Sequence, residues 1–495
     1  MATITLHHLS FGYDGQAPLF TDVNLNLDAA WHLALVGRNG RGKTTLLRLL
    51  QHQLPFTGTI TAPPTHYFPQ PIPDPDQLTL YAMQAVSPAE QWELERELNL
   101  LHVDPDVLWR PYATLSGGEQ TKVRLALLFV DADQFALIDE PTNHLDAASR
   151  EQVAAYLQKK NGFIVVSHDR HFLDAVSDHT LAINKQTISL TQGNYSTYAA
   201  AKAQQDAFEQ AENARLKTDI ARLQATAREK QRWSTAREGD KHGNRHVPGS
   251  GAVADKGFVG ARAARVMQKA KNLEHRMDAQ LATKQTLLKD IEDIPSLTIN
   301  TTPDHHRVYW HVTDLQLAYD RPLFAPVSFD LEAGERIALV GPNGSGKSSL
   351  LAALFGEFSG SQTGEIHRPA SVTWSRVRQA YADLQGNLQS FAAARHLPYQ
   401  DLLNNLKKLG LERASFTTPI TAMSQGQQKK VEVAASLVTP ANVLVWDEPT
   451  NYLDIDNQTQ LIQAIQANQP TMLFVEHDQA FIDQVATKII RLRPA

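Results

Sequence analysis

The chain has 495 residues, a net charge of −6 and no cysteine. That length holds two or three domains with cores of their own, and the missing thiols exclude disulfides and thiolate-bound zinc or iron–sulfur clusters and fit a reducing cytoplasm. The longest apolar runs, such as Phe163–Val166, are strand-sized, far below the roughly 18 residues of a membrane span. The opening residues lack the basic-then-apolar order of a secretory signal, so the expectation is a cytoplasmic protein without direct membrane insertion.

In chain order, Leu33–Val36 reads as a short buried strand, Gly37-Arg38-Asn39-Gly40-Arg41-Gly42-Lys43-Thr44 as a glycine loop, and Thr45–Leu50 as a helix. That succession is the setting of a Walker A phosphate loop, in which glycines let backbone N–H groups and a helix N-terminus face phosphate oxygens. Lys43 is expected on the β- and γ-phosphates and the Thr44 hydroxyl on Mg2+. The bland alternative is a glycine turn that binds nothing. It is hard to hold, because the succession recurs: Ile337–Val340, then Gly341-Pro342-Asn343-Gly344-Ser345-Gly346-Lys347-Ser348, then Ser349-Leu350-Leu351. Lys347 and Ser348 take the same two roles there.

Phe135–Ile138 and Val443–Trp446 are apolar strands that each end in Asp-Glu. Adjacent acids at a buried strand end are costly unless they face a cation or water. Asp139 and Asp447 therefore suit the Walker B task of holding Mg2+ through its water shell, and Glu140 and Glu448 are placed to orient or deprotonate an attacking water. Leu115-Ser116-Gly117-Gly118-Glu119-Gln120 recurs as Met423-Ser424-Gln425-Gly426-Gln427-Gln428, and His168-Asp169 as His477-Asp478, all about 300 residues on. A repeat of that period means two copies of one domain.

Residues 200–300 break the repeat. Ala200–Trp233 is rich in Ala, Gln, Glu, Lys and Arg and predicts a helix. Glycines and a proline cluster from Gly239 to Gly251 and end it. Over 261–291, Val266, Ala270, Leu273, Met277, Leu281, Leu288 and Ile291 fall near heptad spacing and predict a second helix. The two read as an antiparallel helical hairpin, a short coiled coil. Between Arg222 and Arg276 stand 13 Lys/Arg, Arg228, Lys230, Arg232, Lys241 and Arg262 among them, against 5 Asp/Glu. This is either a solvated helical surface or a prong for RNA phosphates, and single-sign enrichment in an acidic chain favours RNA. Trp233, Phe258 and Val259 near the tip would stack on bases or pack inside the hairpin. His242 and His246, in a glycine-rich loop, make a poor metal site. The expected organisation is α/β: a first ATP-binding domain over 1–199, the basic hairpin over 200–300 and a second ATP-binding domain over 301–495.

Ser-Gly-Gly-Glu-Gln between Walker A and Walker B, with His168 and His477 beyond, makes each half resemble an ABC nucleotide-binding domain. The tandem, the run Asp139–Asp146, Gly193-Asn194-Tyr195-Ser196-Thr197-Tyr198 and the charged linker resemble the ABC-F family of ribosome-associated ATPases over essentially the whole chain. Val475-Glu476-His477-Asp478 and Leu384–Leu388 look closest to its antibiotic-resistance members. The resemblance implies Mg2+-dependent ATP sites between halves stacked head to tail. Tyr13 and Tyr319 would stack on adenine. Gln70 and, in less regular surroundings, Gln379 would touch Mg2+ and the attacking water. His168 and His477 would contact the γ-phosphate. Gly37, Asn39, Gly40, Gly42 and Thr45, and in the second half Gly341, Asn343, Gly344, Gly346 and Ser349, would complete the phosphate loops. Site one joins Lys43, Asp139, Glu140 and His168 to Ser424, Gly426 and Gln427. Site two joins Lys347, Asp447, Glu448 and His477 to Ser116, Gly117 and Gly118. Gln425 stands where the first signature has glycine. Its side chain is expected to crowd the backbone or shift the loop, leaving site one the slower.

The implied partner is the ribosome, its rRNA and a tRNA near the exit site, reached by the basic linker while the two ATPase domains pair within a monomer. The outcome would be translation regulation or ribosome-protection resistance. The competing reading is the ATP-binding subunit of a membrane transporter. The basic linker and Asn143-His144-Leu145-Asp146 argue against it. A DNA-repair ATPase usually carries zinc modules, and the absence of cysteine weighs against that class.

Overall fold

A computed structural model describes residues 2–15, 17–131, 134–143, 145–184, 187–240, 295–302, 304–379, 384–493 and 495. The first half runs β1 (Thr3–Phe11), β2 (Phe20–Asp28), β3 (His32–Val36), α1 (Lys43–Leu50), β4 (Thr57–Thr61), β5 (Thr65–Phe68), α2 (Thr79–Gln84), α3 (Gln91–Leu100), α4 (Gly117–Val130), β6 (Phe135–Asp139), α5 (Ala147–Leu157), β7 (Phe163–Val166), α6 (Arg170–Val176), β8 (His179–Ile183) and β9 (Ile188–Gln192). After α7 (Tyr195–Asp240), the second half repeats the plan. It runs β10 (Val308–Ala318), β11 (Val327–Glu332), β12 (Arg336–Val340), α8 (Lys347–Phe355), β13 (Ser361–His367), β14 (Trp374–Val377), α9 (Leu388–Ala394) and α10 (Tyr399–Lys408). It ends with α11 (Gln425–Val438), β15 (Val443–Asp447), α12 (Ile455–Asn468), β16 (Thr471–Val475), α13 (Gln479–Val485) and β17 (Lys488–Arg491).

Each half has a main sheet, ordered β5-β6-β7-β3-β8-β9 in the first and β14-β15-β16-β12-β17 in the second. The strands are parallel except for the antiparallel β8–β9 pair. A smaller antiparallel sheet, β2-β1-β4 or β11-β10-β13, accompanies it. The continuous apolar runs that mark the central strands have both faces covered. In β6, Phe135 and Leu137 enter the core shared with α1 and the small sheet, while Ala136 and Ile138 enter the core under α3 and α4. Each such fully buried aliphatic side chain contributes roughly 1.5–3 kcal/mol. The register sets Asp139 beside Val166 and Ala34 beside Val165. The carboxyl ends of β3, β6 and β7 therefore lie side by side, the position where open α/β sheets hold ligands.

By contact the chain divides into two units, Met1–Tyr198 with Ile294–Ala495, and Ala199–Asp293. The two halves thus form one unit. Residues 295–300, given to the linker from sequence, belong with the second half. Leu297 and Ile299 are buried there, Asn300 N donates to Leu437 O at 2.8 Å, and Gln460 Nε2 donates to Pro295 O at 3.0 Å. Helix α7 runs past Trp233 and is helical through Asp240, the last described residue before 295. The second linker helix expected over 261–291, and the tip with Lys241, Arg245, Arg262, Arg265, Lys269 and Lys271, lie outside the described residues. Among the described residues no helix is long and apolar enough to cross a membrane.

Candidate functional site

Helix α1 starts at Lys43 behind Gly42 at φ 93°, and α8 starts at Lys347 behind Gly346 at φ 83°. Left-handed backbone favours glycine here, and a Cβ at Gly42 would also stand 2.9 Å from the Phe20 ring. Both turns fold the lysine back over its loop. Lys43 Nζ donates to Gly37 O at 2.7 Å and Asn39 Oδ1 at 3.2 Å, and Lys347 Nζ donates to Gly341 O and Pro342 O at 2.9 Å each. Burial pushes both lysine pKa values down, against the pull of Glu140 on Lys43 and of Glu448 on Lys347. The next residue reaches the Walker B acid: Thr44 Oγ1 donates to Asp139 Oδ2 at 2.8 Å, and Ser348 Oγ to Asp447 Oδ2 at 2.9 Å. Tyr67 OH adds a second hydrogen bond to Asp139 Oδ2 at 3.0 Å. Its counterpart Arg376 pairs with Glu357 instead.

Glu140 and Glu448 sit at φ 55° and 49°, left-handed backbone that costs an L residue about 1 kcal/mol or more. The same strand-end bond holds each in place: Glu140 N to Val166 O and Glu448 N to Val475 O, both 2.9 Å. His168 Nε2 lies 3.3 Å from Glu140 Oε1, and His477 Nε2 lies 3.8 Å from Glu448 Oε1. Burial, then the charge of Lys347, pushes His477 down to about 3; burial and Lys43 push His168 down likewise. Both imidazoles are therefore neutral at physiological pH. Burial, then the adjacent aspartate, pushes the Glu140 and Glu448 carboxyls up. A raised carboxyl is a better proton acceptor near neutral pH. Gln379 Nε2 donates to Glu448 Oε2 at 3.2 Å, and Asn451 Nδ2 reaches the same oxygen at 2.5 Å. Gln70 does not reach Glu140 in this way; its Oε1 is buried with no hydrogen-bond partner among the described residues.

The halves close two composite sites. Site two is a cavity of about 830 Å³. One wall carries Tyr319, Asn343, Gly344, Gly346, Lys347, Ser348, Ser349, Gln379, Glu448 and His477, and the other Ser116, Gly117 and Gly118. Site one is two adjoining cavities of about 360 and 510 Å³ that share Asn39, Gly40, Glu140 and His168. The first holds Tyr13, Gly42, Lys43, Thr44, Thr45 and Asp139, and the second Ser424, Gly426 and Gln427. Gly37, Gly341, Gln70 and Asp447 stand behind these walls, the two glycines supplying the carbonyls that hold the lysines. Tyr13 and Tyr319 each leave a large part of the ring open, as a stacking platform requires. Tyr13 is fixed by Thr45 Oγ1 at 3.1 Å, and Tyr319 by the Phe358 ring at 5.0 Å.

The distortion expected at Gln425 is not found. Ser424 and Gln427 make the same reciprocal capping box as Ser116 and Glu119, with Oγ accepting at 3.3 Å in both. Gln425 is the first helical residue and its side chain is exposed, a place that suits any side chain. The tight position is Gly426, where a Cβ would stand 3.1 Å from Tyr452 O across the interface.

Sequence reasoning missed Asp146 and Asp454. Asp146 caps α5 through Ser149 N at 2.9 Å and also accepts Asn343 N from the opposite phosphate loop at 3.1 Å. Asp454 caps α12 through Asn457 N at 2.8 Å and accepts Asn39 N at 2.9 Å. The capping signal, an aspartate opening a helix, was legible; the reach across the interface was not. Around site one, Arg38 pairs with Asp456 at 3.3 Å, Arg170 Nη2 donates to Thr459 Oγ1 at 2.6 Å, and Gln458 Nε2 donates to His168 O at 3.3 Å. The Asp447 Oδ1 and Gln70 Oε1 atoms are buried without a hydrogen-bond partner among the described residues. Asp447 Oδ1 with the Ser348 hydroxyl in site two, and Gln70 Oε1 with the Thr44 hydroxyl in site one, are hard oxygens of the kind that suits Mg2+.

The ABC transporter family profile matches residues 20–143 and 324–451, just over half of the chain. Ribosome protection protein VmlR of Bacillus subtilis is 29% identical over 97% of this chain and 85% of its own length. The erythromycin resistance ATP-binding protein MsrA of Staphylococcus epidermidis is 29% identical over 94% and 93%. The archaeal ribosome recycling factor aABCE1, solved with the stalk protein aP1, has a TM-score of 0.59 at 20% identity and covers 98% of this chain and 87% of that one. That likeness speaks for the fold alone. With two family domains, two phosphate loops and two Walker B acids in one unit, the chain belongs to the ABC transporter family, as a tandem ABC-F member that hydrolyses ATP.

Proposed function

We propose that this chain is an ATP-driven ribosome-binding factor whose two halves close on ATP, bind the ribosome near the tRNA exit site, and release it on hydrolysis. The observation that carries the reading is geometric. Each signature helix faces the opposite half's phosphate loop across one cavity, so a nucleotide there touches both halves and selects the closed state. Lys43 and Lys347 would bind the β- and γ-phosphates. The N-termini of α11 and α4 would meet the γ-phosphate from the other side. Mg2+, held by Thr44 with Asp139 and by Ser348 with Asp447, would neutralise phosphate charge. Glu140 and Glu448 would orient the attacking water and draw its proton, with Gln70, Gln379, His168 and His477 lining the reaction path.

The ribosomal target is supported by the names of the relatives, a ribosome protection protein and an erythromycin resistance ATP-binding protein among them, and by the cationic segment 222–276. That segment would contact RNA phosphates, with the two ATPase halves pairing inside a monomer in the cytoplasm. Resistance to a ribosome-targeting antibiotic is the outcome those relatives favour. The test is co-sedimentation of the Glu140→Gln, Glu448→Gln variant with ribosomes. ATP should trap it in the pellet, and rising salt should release it as phosphate contacts weaken. A protein that stays in the supernatant with ATP at low salt would overturn the reading.

A further inference from the structure

We propose that Lys429 and Glu476 form a buried brace, found among the described residues in the second half and not the first, that positions Gln379, Glu448 and His477 for hydrolysis. The proposal rests on reading Glu140 and Glu448 as the hydrolytic carboxylates.

Glu476 follows β16 and is 1% exposed. Its Oε1 accepts His477 N at 2.9 Å and Asp478 N at 3.3 Å; its Oε2 accepts Thr450 N at 3.2 Å. Thr450 lies two residues beyond Glu448. One carboxylate thus fastens the segment that carries His477 to the segment that carries Glu448. Lys429, 2% exposed on α11, donates to Asp447 O at 3.3 Å and to Arg378 O at 3.4 Å. It thereby ties the residue before Glu448 to the residue before Gln379. Glu476 is the foremost of the carboxylates whose charge offsets the burial of Lys429. One turn on, Glu432 receives Arg378 Nε at 2.8 Å and Arg395 Nη1 at 3.2 Å, so Arg378 is held through its guanidinium as well. At the front of this arrangement Gln379 meets Glu448 at 3.2 Å.

Among the described residues the first half has no such brace. Thr121 stands where Lys429 does, and its hydroxyl donates back to Gly117 O of its own helix at 2.9 Å. Ser167 stands where Glu476 does. It accepts Asp169 N at 3.1 Å and meets Thr142 Oγ1 at 2.9 Å, a neutral and smaller version of the same link. Gln70 is not tied to Glu140. Buried charges are weak support for stability, since replacing them is often neutral. Here their hydrogen bonds go to the backbone of the segments that hold the catalytic groups, which gives them a positioning task.

The test puts Glu476→Ser, Lys429→Thr and both together, the first-half residues, into the full-length chain. A Glu140→Gln background leaves turnover to site two, and a Glu448→Gln background leaves it to site one. ATP turnover, affinity for a fluorescent ATP analogue and thermal melting are read for each. We expect kcat at site two to fall about tenfold in either single variant and no more than about threefold further in the double, because coupled residues are not additive. KM and analogue affinity should move by less than about threefold, and site-one turnover by less than about twofold, since the brace meets Asp447 and His477 through their backbone atoms and makes no bond to the phosphate loop. Glu476→Gln keeps a carbonyl acceptor and should retain more turnover than Glu476→Ser. Unchanged kcat at site two would overturn the proposal. So would equal losses in both backgrounds that follow the melting temperature, the mark of a purely structural pair. Failure of the underlying reading shows separately, as full turnover in the Glu140→Gln, Glu448→Gln double variant, and would remove the brace with it.

Discussion

The two halves agree in what faces the cavities and differ in what stands behind them. Lysine, hydroxyl, aspartate, glutamate and histidine recur at matched places with matched bonds. Behind them, the first half supports Asp139 with Tyr67 and its histidine segment with Ser167, while the second uses Lys429, Glu432 and Glu476. At the interface, Arg150 pairs with Asp169 at 2.8 Å, and the place of Arg150 in the second half is taken by Gln458. Duplication has kept the groups that face the cavities and let the supports diverge. The sites should therefore resemble each other in binding and differ in turnover.

The largest effects come from the glutamates. Glu140→Gln and Glu448→Gln should each remove about 10²–10⁴-fold of the turnover of their own site, the usual weight of a general base. Steady-state ATPase of the single variants then reports the other site. Faster residual turnover in Glu140→Gln, where site two remains, is the expected order. Equal rates would break the comparison.

Next are the two aspartates that cross the interface. Asp454 is 2% exposed and Asp146 more open, and each loses a helix cap and a cross-interface bond on truncation. Asp454→Ala should cost about 2 kcal/mol and Asp146→Ala about 1 kcal/mol, read by urea unfolding. A larger cost for Asp146→Ala would mean that the tighter bonding at site one carries no stability.

A smaller effect separates the matched aspartates after the histidines, and it depends on pH. Burial, then the charges of Asp169 and Glu476, pushes Asp478 up to about 7. The native state therefore binds this proton more tightly than the unfolded chain does. The contribution to stability is fully present below the ordinary carboxyl range and is lost as pH rises through about 7. Asp478→Asn keeps the cap on Phe481 N and should gain up to about 2 kcal/mol at pH 8 and less than half as much at pH 5, about half of the bare conversion, since water reaches the interface when the halves open. Asp169→Asn breaks the pair with Arg150 and should lose about 1–2 kcal/mol at pH 8. Melting curves at both pH values give the signs, and a loss for Asp478→Asn at pH 8 would contradict the burial argument.

The sequence carried the cavity-facing groups because their chemistry demands fixed residue types at fixed spacing beside a strand and a helix. Lys43, Thr44, Asp139, Glu140 and His168 fall where that pattern places them. The supports were not legible. Nothing local in Lys429 or Glu476 says that two charges 47 positions apart in the chain are buried together. Asp146 and Asp454 cap helices through local bonds, and their second bonds run to the opposite half. Residues 295–300 were lost to the linker because two apolar residues, Leu297 and Ile299, are too few to show a period. In each case the missing information is a pairing between distant segments.

Gln425 is where the sequence suggested a backbone distortion that the structure does not show, and it gives the smallest expected effect. A glycine replaced by a long side chain in a phosphate-facing loop suggested a damaged site. At the first residue of α11, however, the backbone is ordinary helix, the capping box is intact, and the side chain points to solvent. A side chain there costs nothing in backbone strain, and the residue that cannot grow is its neighbour Gly426. Gln425→Gly in the Glu448→Gln background should therefore change site-one turnover by less than about twofold, below about 0.4 kcal/mol of barrier. Gly426→Ala, which forces a carbon against Tyr452 O, should slow it by about tenfold or more, about 1.4 kcal/mol. If the Gln425 change instead restored site one to the rate of site two, the asymmetry would lie in the signature and the braces behind Glu448 would be secondary.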